Sequence, residues 1–202
     1  MDILIDAVKR LQERVHNTGC EDGNIVLSVN PGAMMCQFEK GASMEVSFGG
    51  RTAQFATSDP IRATTRVGFM FGAPLEKPAQ RAAAGAIINV ITGFLCISRI
   101  LKSCEKTCHA DCLSRLSEEI KGKNVYVYGD IPKCAREFGQ TIVSSPDLAD
   151  ILIVTGEGLG SLRETEEIWE FSRTKKMLLI GPSTAGVAAL GKYSWWCPHG
   201  RS

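Results

Sequence analysis

Histidine is nearly missing from this chain, with three residues in 202, at positions 16, 109 and 199. No Ser/His/Asp set can be argued from such scattered positions, because a triad is defined by geometry and not by order in sequence. A surplus of charge is missing as well. The formal net charge is +1, without the basic footprint of a nucleic-acid-binding domain, so no nucleic-acid partner is expected. A basic leader is also lacking: the first residues carry Asp2 and Asp6, and the expectation is a cytoplasmic protein with reduced thiols. No apolar run reaches the roughly 20 residues that a bilayer span needs. The nearest, residues 82–97, contains Asn89 and Thr92 and is followed by Arg99; it reads as a buried helix, and no membrane partner is expected.

Cysteine, by contrast, is plentiful. Eight thiols in a reducing compartment leave packing, metal binding or catalysis as their uses. The rest of the composition, 44% hydrophobic and 22% charged, is that of an ordinary globular protein with room for one large domain or two small ones.

Ile3, Ala7, Val8, Leu11 and Val15 fall at helical spacing and predict an amphipathic helix over residues 2–15. A strand is expected at 24–29. Two more, at 44–48 and 52–56, flank Gly49 and Gly50, which supply the positive φ of a tight hairpin turn. An extended segment at 66–71 precedes a long helix running from Pro78 to about residue 101. That helix is apolar nearly all round, as one sandwiched between a sheet and another layer would be. Residues 1–103 thus read as an α+β domain. From residue 104 the rhythm changes to apolar strands at 124–128, 141–143, 151–154 and 177–180. Helices are expected at 111–120, before Thr141, at 161–171 and at 184–190. This is the pattern of a Rossmann-like α/β domain over 104–202, a parallel sheet covered on both faces.

In such a sheet ligands sit beyond the carboxyl ends of the strands. Here that edge offers Gly129 and Asp130, Ser144 and Ser145, Thr155, Gly156 and Glu157, and the run Gly181, Pro182, Ser183 and Thr184. The hydroxyls either cap helices or meet an anion, and both uses are open. Two apparent nucleotide motifs fail. The glycines at 156, 158 and 160 are followed by Ser161 where the dinucleotide fingerprint requires glycine, and no acid ends the next strand, so NAD is not expected. Residues 186–192 have phosphate-loop spacing, but Tyr193 stands where Ser or Thr would hold magnesium.

Cys104, Cys108, His109 and Cys112 form the densest group of soft donors, with Cys197 and His199 as further candidates. They are either ligands of a transition or heavy metal ion or small buried side chains on the inner face of a helix. Cys20, Cys36, Cys96 and Cys134 stand singly and read as packing residues. His16 reads as a cation at a helix end, and Trp195 and Trp196 either wall a pocket or, the commoner use, seal the end of the core.

Residues 86–89, 149–156 and 179–184 resemble successive landmarks of the DUF364 family, also described as a heavy-metal chelation domain. The resemblance covers residue 82 to the end; before that it is one of architecture. It implies an enolase N-terminal-like domain followed by a Rossmann-like one, a shared cleft, a homodimer, and site residues Asn89, Thr155, Gly156 and Gly181 to Thr184. The chain is shorter than is usual for that family, and its cysteine group is not a family landmark. The functional expectation is binding of a metal ion, or of a metal-bearing or anionic small molecule, between the two domains. The alternative is an enzyme acting on a phosphorylated or nucleoside-like metabolite, with Asp130 or Glu157 as acid or base.

Overall fold

The computed structural model describes residues 2–131 and 141–202. Cys134 and the short helix expected before Thr141 therefore lie outside the described residues. Helix α1 (Ile3–Val15) buries the stripe its spacing predicts. Its start is fixed by Asp2, whose carboxylate accepts hydrogen bonds from the backbone N–H groups of Leu4 and Ile5 at 2.7 and 3.3 Å, satisfying donors that have no partner within the helix.

Strands β1 (Asn24–Val29), β2 (Ala42–Phe48), β3 (Arg51–Thr57) and β4 (Ala63–Arg66) form an antiparallel sheet in the order β3-β2-β1-β4. Gly49 and Gly50 make the hairpin turn with φ of 53° and 78°. The extended segment expected at 66–71 is instead the end of β4 followed by a 3-10 turn, Val67–Met70.

Helix α2 (Pro78–Phe94) packs on β2 and β3 on one side and on the second half of the chain on the other. It stops short of residue 101. Cys96 takes up a left-handed φ of 56°, and the chain then turns back. The Leu101 carbonyl accepts from the Gln54 N–H at 2.8 Å, and Lys102 bridges Arg201. Pairing with β3 and with the C-terminal segment displaces the helical bonds that apolar periodicity would have continued.

The second half contributes α3 (His109–Glu119), β5 (Val125–Tyr128), β6 (Ile151–Val154), α4 (Gly156–Gly160), α5 (Leu162–Phe171), β7 (Lys176–Ile180), α6 (Ala185–Gly191) and β8 (Ser194–Trp196). The four strands are parallel and ordered β5-β6-β7-β8. Trp195 and Trp196, expected to wall a pocket or seal the core and not read as a strand, belong to β8. The strand expected at 141–143 is reduced to one parallel bridge, Ile142 to Val125. Because Val125 also pairs with Ile151 of β6, Ile142 lies on the far side of β5. The chain thus leaves β5 in one direction and returns in the other, which makes the β5/β6 boundary a topological switch point.

The molecule is an α+β unit followed by a Rossmann-like unit. A main core runs from α1 and α2 to the inner face of the parallel sheet. A smaller one, with Cys36, Phe38, Cys112 and Leu116, covers the opposite face. Among the described residues no helix is long and apolar enough to cross a membrane.

Candidate functional site at the carboxyl edge of the parallel sheet

At the switch point Gly129 has φ of 88°, and a Cβ there would lie 2.1 Å from Thr155 Oγ1 and 2.6 Å from the Gly158 nitrogen. Only glycine fits so close an approach. Thr155 is buried; its hydroxyl donates to the Tyr128 carbonyl at 3.3 Å and accepts from the Gly158 N–H at 3.4 Å. The glycine run 156–160, expected as a loop, is itself helical, and Ser161 caps the next helix by accepting from the Glu164 N–H at 3.3 Å. Two carboxylates mark the rim: Asp130 pairs with Lys40, and Glu157 accepts from Ser58 Oγ at 2.7 Å. Burial pushes the nearby Glu164 carboxyl above its ordinary range. Ser145 caps the short turn Pro146–Leu148.

Beyond β7, Asn89 meets Gly181 to Thr184, the grouping that the resemblance implies. The side-chain polar atoms of Asn89, Ser183 and Thr184 are all bonded to protein. Asn89 Nδ2 donates to the carbonyls of Gln54, Pro182 and Ser183 at 3.4, 3.2 and 3.0 Å, and Oδ1 accepts from the Gly186 N–H at 2.9 Å. Ser183 Oγ accepts from the Ala56 N–H at 2.8 Å. Thr184 Oγ1 donates to the Ile180 or Gly181 carbonyl and accepts from Trp195 Nε1 at 3.2 Å. Asn89, Ser183 and Thr184 are all 0% exposed. Together they lock β3 and α2 to the β7–α6 connection.

The edge is crossed by residues 36–40, which carried no signal in the sequence. Gln37 Nε2 donates to the His109 carbonyl at 2.7 Å, and Lys40 reaches Asp130. Between them the Glu39 carboxylate accepts from the Ser183 N–H at 3.0 Å. It fills the space at Gly181, where a Cβ would lie 2.6 Å from Glu39 Oε1. Burial pushes the Glu39 carboxyl up to about 7, against the Ser183 hydrogen bond, which lowers it.

Beside Glu39 the structure brings together Cys104, Cys112 and Cys197 from the expected donor set and adds Cys36, all four buried. Cys104 and Cys112 do not share one helix face, because Cys104 precedes the 3-10 turn Lys106–Cys108 and α3 begins only at His109. They meet because the bridge between Lys102 and Arg201 draws the segment before α3 against the one carrying Cys197. Burial raises all four thiols, and their neighbours add to it: Cys197 and Cys104 act on Cys36, Cys112 and Cys108 on Cys104, and Glu39, Cys104 and Cys112 on Cys197, which reaches about 12. Cys112 is raised by burial, opposed by the side chains of Trp196 and Gln37. The Trp196 Nε1 is buried and has no hydrogen-bond partner; it stands near the Cys112 sulfur without bonding it. Of the remaining expected donors, Cys108 is half-buried, His109 Nε2 is buried without a hydrogen bond, and His199 Nε2 lies 2.7 Å from Asp111 Oδ2.

No family model and no curated protein matches the chain. Among solved structures it is similar to a DUF364 protein of unknown function from Desulfitobacterium hafniense DCB-2, at 14% identity and a TM-score of 0.49, over 82% of this chain and 78% of that one. It is also similar to a DUF364 protein of unknown function from Pyrococcus horikoshii, at 10% identity and a TM-score of 0.47, over 91% of this chain and 80% of that one. Both neighbours come from the family whose landmarks the sequence resembles, and neither supplies a ligand or a reaction.

Proposed function

We propose that this protein binds a soft metal ion, or a small molecule bearing one, at the thiol cluster of Cys36, Cys104, Cys112 and Cys197. The observation that carries the reading is that four buried thiols from four separate segments lie near enough to act on one another's ionisation, with the unpartnered Trp196 N–H near one of them, Cys112. Thiolates select soft and borderline ions, and a donor aimed near sulfur stabilises the deprotonated form that a metal requires. Cys108, His109 and His199 are the reserve donors. Among the described residues no group of three or more Cys, His, Asp or Glu side chains stands where it could hold a metal ion. Binding here therefore requires the sulfurs to move together, which rotation about χ1 would supply. Binding displaces thiol protons, so affinity rises with pH.

The test is a titration of the untagged, fully reduced chain with Cd2+, followed by the thiolate-to-metal charge-transfer band. A stoichiometric band is expected in the parent and in a Cys20→Ser/Cys96→Ser control, and its loss in a Cys104→Ser/Cys197→Ser variant that melts as the parent does. No saturable band, or one that the second variant keeps, rejects the reading.

A further inference from the structure

Away from the sulfur cluster, the loop of residues 97–100 crosses the end of α6 and leaves two adjoining cavities. One, of about 390 Å³, is lined by Arg99, Lys192, Tyr193 and Trp195 over the alanines of α6. The other, of about 350 Å³, is lined by Arg51, Arg99, Leu101 and Ser202. Ser98 and Arg99 belong to both walls, so the two cavities meet along that segment in one grooved surface.

Its charged side chains are of one sign. Three side-chain cations line the groove and no aspartate or glutamate does. Among the described residues none of the three makes a salt bridge. In a chain of net charge +1, that concentrates positive potential at one place. The aromatic wall is apolar where it faces the cavity, because Trp195 spends its N–H on the Gly181 carbonyl at 3.0 Å and on Thr184 Oγ1. Lys192 sits at a φ of 58° as the C-cap of α6, a conformation that favours glycine or asparagine. The phosphate-loop spacing of residues 186–192 is wound into α6 and forms no phosphate cradle, yet its lysine is the one that lines the groove.

We infer that this groove binds a nucleotide, its planar base against Trp195 and Tyr193 and its phosphates between Arg99 and the flanking Arg51 and Lys192. The larger chamber alone is within the roughly 300–1,000 Å³ of small-molecule sites. Aromatic faces take planar rings, and guanidinium groups take phosphate by paired hydrogen bonds. This inference shares no residue with the thiol cluster, so either can fail without the other.

The test titrates the full chain with ADP, pyrophosphate and adenosine, following tryptophan fluorescence and the melting temperature. Saturable ADP binding is expected, with pyrophosphate competing and adenosine binding at least about tenfold more weakly than ADP. An Arg99→Ala/Lys192→Ala variant, which alters only exposed side chains, should keep its melting temperature and lose at least about tenfold in ADP affinity. No saturable ADP binding, unchanged affinity in that variant, or adenosine binding as tightly as ADP would each overturn the inference.

Discussion

The two faces of the parallel sheet use their buried polar atoms differently. Toward α1 and α2 the bonds run across long sequence distances, although Arg81 Nε and Tyr128 Oη have no partner. Asn89 joins Gln54 to Ser183 and Gly186, while the fully buried Arg81 reaches Asp2 at 2.7 Å and Thr165 at 2.6 Å. Toward α3 and residues 36–40, the indole of Trp196 and Nε2 of His109 have no partner, and the buried Glu39 is held by Ser183. The first face is a lock whose bonds resist separation of the two halves. The second holds the four buried thiols, which is why the proposed metal site falls there and not at Ser183.

If that division is right, breaking the lock should cost most. Asp2→Ala removes the cap of α1 and strands the Arg81 guanidinium in the core; by the cost of an unpaired buried charge it should lose about 3–5 kcal/mol in urea unfolding. A loss under about 1 kcal/mol would mean the pair is not structural. Asn89→Ala leaves several buried backbone groups without their partner and should cost about 3 kcal/mol. Variant protein that is still folded should answer Cd2+ as the parent does; loss of the metal response would join the two faces that we separate.

The smallest effect concerns Glu39. Its carboxyl is pushed up to about 7 in the folded protein, above the ordinary glutamate value of 4.5. The folded state therefore binds this proton more tightly than the unfolded one. The contribution is fully present below about pH 4.5 and is lost as pH rises through 7. Metal-free protein should lose about 2 kcal/mol from this group between pH 5 and pH 8. Glu39→Gln keeps an acceptor for the Ser183 N–H and should flatten that slope; an unchanged pH profile would show that Glu39 ionises freely.

The sequence made some of this visible and hid the rest for identifiable reasons. The stripe of α1, the Gly49 and Gly50 turn and the apolar runs of β6 and β7 are local patterns, and each appears where its pattern lies. Asn89 and Gly181 to Thr184 could be grouped through the family landmarks, but whether their polar atoms face a ligand or each other is a matter of packing. Cys36 and Glu39 lie between a Pro-Gly turn and β2, with no periodicity to mark them. Glu39 and Ser183 are 144 positions apart, a distance no motif spans. Strand β8 has three residues and is defined by the neighbour it pairs with.

What the chain order settled unaided was the kind of the longer helices and of the strongly apolar strands, and the change from antiparallel to parallel architecture, because backbone preference and hydrophobic period act within a few residues. What tertiary structure decided was where α2 stops, which hydroxyls are consumed, and which thiols meet. Those outcomes depend on hydrogen bonds and contacts between segments far apart in sequence, whose energies exist only once the two sheets have closed on their shared core.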